Sequence, residues 1–127
     1  MEFNNDLPIY QQIINMIKHD IVSGKIPSGQ KLLSTRDLAI KLKVNPNTIQ
    51  RVYKELETEE VCLTKRGLGT FVTEEEEMIL VMKEALVSDM VKTFVEGMVK
   101  LNYNKENIIE KINRQFEKED QQDVNIN

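Results

Sequence analysis

At 127 residues, 40% hydrophobic and 30% charged, the chain has room for one compact domain with an appendage or for two small domains, and too little for a large enzyme fold. Its formal net charge of −4 argues against a nucleic-acid partner only on average: residues 1–73 carry ten Lys/Arg against eight Asp/Glu (+2), and residues 74–127 carry seven against thirteen (−6). One cysteine, Cys62, and one histidine, His19, exclude an internal disulfide and a zinc-type ligand set, and there is no signal-like N-terminus or run of about 18 apolar residues, so a cytoplasmic chain with no membrane span, metal or cofactor is expected.

The first helix is read from Tyr10, Ile13, Ile14, Ile17 and Ile21, which recur at helical spacing and form one apolar stripe. Pro8 suits its first turn, and Ser23-Gly24 ends it. Lys25-Ile26-Pro27-Ser28-Gly29 is a loop. A short second helix starts after Ser34, whose hydroxyl can cap it while Asp37 answers as a weak capping box, and Leu38, Ala39 and Leu42 face inward. It ends near Lys43.

The third helix carries the most information. Asn45 is a good N-cap, and Pro46 fits the N1 position because its fixed φ is already helical. Ile49, Val52, Tyr53 and Leu56 make its buried stripe. Helical projection then points Asn47, Arg51 and Lys54 away from the core, with Thr48 and Gln50 on the flanks. No acid falls on that face in the first two turns; Glu55, Glu57, Glu59 and Glu60 gather at the far end. Arg can bind guanine, and Asn or Gln adenine, through paired hydrogen bonds. An ordinary solvated helix face would look the same in isolation, so the flanking segments decide between them.

Two β-rich runs follow, Val61-Cys62-Leu63-Thr64 and Thr70-Phe71-Val72-Thr73, around the tip Lys65-Arg66-Gly67-Leu68-Gly69. This reads as a hairpin whose glycines permit φ > 0 and whose Lys65 and Arg66 would meet phosphates or a minor groove. Gly-x-Gly is too short for a nucleotide-binding fingerprint, and Cys62 reads as an inward strand residue.

A long helix is drawn from about Glu75 to Leu101, its stripe made of Val87, Val91, Phe94, Met98 and Leu101 and widened by Ile79, Met82, Leu86 and Met90. A second helix opens near Asn104 with Ile108, Ile112 and Phe116, too few to cover the stripe. A homodimer seam through Leu86, Val87, Met90, Val91, Phe94 and Met98 is therefore expected, against the alternative that the helices fold back on the first domain. The Glu74–Glu77 run suits a helix N-terminus, and an unordered tail is expected from Glu119 to Asn127.

From Pro8 to Val72 the chain resembles the DNA-binding domain of the GntR family of bacterial regulators. The resemblance rests on Pro8-x-Tyr10-x-Gln12-Ile13, Ser34-x-Arg36-x-Leu38-Ala39, Asn47-Thr48-Ile49, Tyr53-x-x-Leu56 and Arg66-Gly67-x-Gly69-Thr70-Phe71-Val72. Leu32-Leu33-Ser34 stands where the family usually has Leu-Pro-Ser, and Asn45-Pro46 where it commonly has Ser-Arg; the latter is similar to the YtrA-like subfamily, whose members carry a short helical C-terminal region. The resemblance implies a winged helix-turn-helix, mostly α with a small β-wing, over residues 1–73 and a two-helix dimerisation region over residues 74–127. It would place Arg36, Asn47, Thr48, Gln50, Arg66 and Gly67 at double-stranded operator DNA; helical projection adds Arg51 and Lys54, and the hairpin tip adds Lys65. The expected function is a sequence-specific regulator, a repressor binding a palindromic operator as a homodimer. The alternative is a winged-helix protein-interaction module that does not read DNA sequence. An enzyme is not expected, since there is no nucleophile elbow, P-loop or metal constellation, and any small-molecule effector is unknown.

Overall fold

The structure, a computed structural model, describes residues 1–126. Its elements in chain order are α1 (Ile9–Val22), α2 (Thr35–Leu42), α3 (Pro46–Thr58), β1 (Cys62–Lys65), β2 (Gly69–Val72), α4 (Glu76–Lys100) and α5 (Lys105–Ile126).

The local signals act as the residue chemistry dictates. Pro8 sits at the N-cap of α1, and its carbonyl accepts from the amides of Gln11 and Gln12 at 3.1 and 3.2 Å. Ser34 Oγ accepts the Asp37 N–H at 3.0 Å and caps α2. The reciprocal half of the expected capping box is absent among the described residues, because the short Asp37 side chain makes no bond back to Ser34. α2 ends on Lys43 in the left-handed region at φ 58, and Asn45 then caps α3, its Oδ1 accepting from Asn47 N–H at 2.8 Å with Pro46 at the first helical position.

Ile13, Ile14, Ile17 and Ile21 of α1 bury their stripe in one cluster with Leu38 and Ala39 of α2, with Ile49, Val52, Tyr53 and Leu56 of α3, and with Val61, Cys62 and Val72 of the hairpin. Ile13, Ile49, Val52, Leu56 and Val72 are wholly buried, and each such side chain stabilises the fold by about 1.5–3 kcal/mol relative to exposure.

The hairpin is antiparallel, with Cys62 opposite Val72 and Lys65 opposite Gly69. Its turn is closed by the Leu68 N–H donating to the Lys65 carbonyl at 2.8 Å, with Gly67 at φ 77 and Gly69 at φ 123, backbone states that a side chain would strain. Residues 30–32, to which the sequence reading assigned no element, run beside β2: Val72 N–H donates to the Gln30 carbonyl at 2.9 Å and Leu32 N–H to the Thr70 carbonyl at 2.8 Å. Lys31–Leu33 thus forms a strap that joins the loop after α1 to the N-cap of α2 while leaning on the wing.

The chain divides into two compact units, Met1–Leu86 and Val87–Asn127. The first continues past Thr73 because Ile79, Met82 and Leu86 on the opening turns of α4 pack against the three-helix core, Met82 being buried. Leu86, expected in a dimer seam, is therefore partly buried against its own chain.

In the second unit α4 ends at a turn with Asn102 at φ 66, where Tyr103 N–H donates to the Met98 carbonyl at 3.1 Å. Asn104 and Asn107 then exchange backbone-to-side-chain hydrogen bonds at 3.4 and 2.9 Å and open α5. Ile108 is buried, whereas Val87, Met90, Val91, Phe94, Val99, Ile109 and Phe116 are exposed. The unordered tail expected from Glu119 is instead helix through Ile126, since the polar run contains no Gly or Pro to stop it; Asn127 lies outside the described residues.

Candidate nucleic-acid interface

In the first unit α2 and α3 pack across a three-residue turn, Lys43 to Asn45, and α3 also packs on α1. The buried Ile49, Val52, Tyr53 and Leu56 fix the rotation of α3, and with it which residues project. Asn47, Gln50, Arg51 and Lys54 are exposed and Thr48 is half-buried. Gln50, expected on a flank, is thus as free to reach outward as Asn47, whereas Thr48 stays close to the protein surface. Arg36 is exposed on the first turn of α2, and Lys65, Arg66 and Gly67 are exposed at the tip of the wing.

Arg51 differs from the expectation. Its guanidinium lies over the Tyr10 ring at 3.5 Å from the centroid, and its Nε sits 3.5 Å from Glu55 Oε1. A cation held against an aromatic face of α1 and a carboxylate one turn away is spent on its own chain in this state. Helical projection gave its direction and could not show the Tyr10 ring, which arrives from another element. Lys65 is also engaged, its Nζ 4.6 Å from the Phe71 ring centroid, diagonal to it on the same face of the hairpin.

Three of the acids at the end of α3 are engaged by their own chain. Glu55 pairs with Arg51, Glu57 accepts a hydrogen bond from the Thr64 hydroxyl, and Glu59 pairs with Lys18 at 2.9 Å. α3 is left with Asn47, Gln50 and Lys54 as its unpaired projecting polar set, and Arg36 and Arg66 make no ion pair among the described residues. Such a set can place amides at base edges and cations at phosphates.

Tyr53 fixes the relation between α3 and α2. Its hydroxyl donates to the Leu33 carbonyl at 2.6 Å, twenty residues back, just before the Ser34 cap and Arg36. Burial, followed by the proximity of Cys62, pushes the phenol up to about 12; burial, followed by the proximity of Glu57, pushes the Cys62 thiol up to about 12 as well. Cys62 is therefore a packed, inert thiol. Neither the Tyr53–Leu33 bond nor the strap pairing had a local signature in the sequence.

Three helices and a hairpin wing, with a projecting helix face whose first two turns carry no acid and a basic tip, define a winged-helix DNA-binding regulator. The chain belongs to the GntR family, in its YtrA-like branch: the family model described as bacterial regulatory proteins, gntR family, matches residues 9–72. It is 40% identical over 111 residues to the uncharacterized HTH-type transcriptional regulator YhcF of Bacillus subtilis, covering 87% of this chain and 92% of that one. It is 39% identical over 89 residues to the HTH-type transcriptional repressor YtrA of the same organism, covering 69% and 68%. A GntR family transcriptional regulator from Listeria monocytogenes superposes with a TM-score of 0.82 at 43% identity, over 88% of this chain and 98% of that one. YtrA from Sulfolobus acidocaldarius, a GntR-family transcription factor, superposes with a TM-score of 0.55 at 26% identity, over 93% and 96%. The chain is a transcription regulator of a family that is not enzymatic. No helix among the described residues is long and apolar enough to cross a membrane.

Proposed function

We propose that this regulator is a cytoplasmic repressor that occludes a promoter by binding a palindromic operator as a homodimer. The observation that carries the DNA-reading part is the projecting face of α3, where Asn47 and Gln50 stand exposed beyond a first turn fixed by Asn45 and Pro46. In this reading Asn47 and Gln50 meet base edges, and Thr48, Lys54, Arg36, Lys65, Arg66 and the Gly67 backbone meet the phosphates. Arg51 joins them only by leaving Tyr10. Residues 1–73 supply the DNA-binding part and residues 74–127 the helices that dimerise.

The dimer reading is supported by the second unit. Val87, Met90, Val91 and Phe94 are exposed on α4, and Phe94 and Met98 line a cavity of about 460 Å³ together with Ile112 and Phe116 of α5. Apolar surface of that extent on two adjacent helices suits a matching copy of itself. Two recognition helices would then enter successive major grooves about 34 Å apart, which makes the operator a palindrome. The repressor reading is supported by the likeness to the HTH-type transcriptional repressor YtrA of B. subtilis. The experiment is selection of duplexes from a random pool on the full chain, followed by titration of the selected duplex and a scrambled duplex of equal length at moderate salt. A selected palindrome bound more tightly than its scramble is the expected result; equal binding of the two overturns the reading.

A further inference from the structure

The strap Lys31–Leu33 lines two cavities. One cavity, of about 430 Å³, has a floor of Ile17, Leu32, Leu38 and Tyr53 and is also lined by Lys25 and Lys41. Another, of about 550 Å³, uses Lys31, Leu32, Leu33 and Tyr53 again and reaches Gly69 and Thr70 on the wing.

We propose that the cavity floored by Ile17, Leu32, Leu38 and Tyr53 binds a small organic monocarboxylate with an apolar body, and that filling it weakens DNA binding. Its volume lies in the range of small-molecule sites, and a mostly apolar floor with a few charged groups at the rim is their usual make-up. Lys25 and Lys41 make no ion pair among the described residues and are the cations available to a carboxylate. Lys31 also lines the cavity, but its side chain runs across the wing at Gly69. Asp20 lines the same rim. One carboxylate beside two free ammonium groups favours a monoanion over a phosphate-rich ligand.

The consequence for DNA follows from what the strap holds. Leu33 accepts the Tyr53 hydroxyl of the recognition helix, Gln30 and Leu32 are bonded to β2 of the wing, and Ser34 and Arg36 follow directly in the chain. A ligand pressing on Leu32 and Tyr53 would shift a segment that is bonded to both α3 and the wing and that leads directly into the α2 cap. The site itself is independent of the DNA reading; its regulatory effect rests on that reading.

The test uses the full chain with methyl-labelled Ile, Leu and Val, titrated with octanoate and, separately, with the neutral octanol, with and without the selected operator. Octanoate is expected to shift the Ile17, Leu32 and Leu38 methyl signals and to lower operator affinity by about fivefold or more, the low end of ordinary coupling between sites. Octanol should bind more weakly. The exposed pair Lys25→Gln and Lys41→Gln should weaken octanoate by about fivefold while leaving the methyl spectrum folded. Shifts confined to Val87 and Val91, equal binding of octanol, an unaffected lysine variant, or cavity shifts with unchanged operator affinity would each overturn the proposal. If the ligand-free chain shows no operator preference, the proposed function falls and takes the regulatory effect with it, while the methyl shifts still decide whether the cavity binds octanoate.

Discussion

Tyr53→Phe removes one oxygen and nothing else, which makes it the sharpest probe of how the DNA-facing elements are held. The lost bond is the 2.6 Å contact to the Leu33 carbonyl, and the ring that remains still fills its place in the core, where Tyr53 is 5% exposed. No cavity term therefore applies, and the cost is that of a neutral hydrogen bond, about 0.5–1.5 kcal/mol, plus part of the penalty for an unsatisfied carbonyl. Leu33 is 46% exposed, so water can reach its peptide and relieve much of that second part. The net expectation is a loss of about 1 kcal/mol, or about 4–8 °C in Tm for a unit of this size. Thermal and urea unfolding of the full chain measure it. Operator affinity should fall alongside, because the freed strap no longer fixes Arg36 against α3. A variant with wild-type Tm and wild-type affinity would refute the claim that this bond sets the relation between the two helices.

Asn47→Ala and Gln50→Ala should each cost about 1–3 kcal/mol on the selected operator and relax preference at one position per half-site; unchanged preference in both would remove α3 as the reading element. Lys65→Ala should weaken selected and scrambled duplexes alike and reduce the salt slope by about one unit, as measured by titration over a salt series. Phe94→Asp places a charge among Val87, Val91 and Met98, so sedimentation should show monomers and operator affinity should drop by about 10²- to 10⁴-fold through lost avidity; full affinity from a proven monomer would refute the dimer. Folding stability should decline at alkaline pH, because both perturbed groups hold their protons in the folded state beyond their ordinary values of 9.0 for Cys62 and 10.0 for Tyr53. Their contribution is complete below pH 9 and erodes up to about 12, at about 1.4 kcal/mol per pH unit for each titrating group, and Cys62→Ala should delay the onset seen in urea titrations to about pH 10.

What the sequence determined by itself is what depends on neighbours within a few residues. The isoleucine stripe of α1, the Ser34 and Asn45 caps, Pro46 at the first helical position and the glycines at φ 77 and 123 each act through local geometry, so each was legible together with the outward direction of Asn47 and Lys54. The family motifs from Pro8 to Val72 ride on those same residues, which is why the DNA-binding class could be read before any contact was known. Contacts that join distant parts of the chain were decided only in three dimensions. The Tyr53 hydroxyl meets Leu33 across twenty residues, Arg51 is captured by a ring from α1, and the strap finds β2 some forty residues on, with no periodicity to announce any of them. The same holds for α4: one amphipathic pattern runs its whole length, yet Ile79, Met82 and Leu86 are taken by the winged core while Val87, Val91 and Phe94 stay exposed. Periodicity fixes which residues share a face; where along a long helix that face meets its own core depends on where the rest of the chain folds.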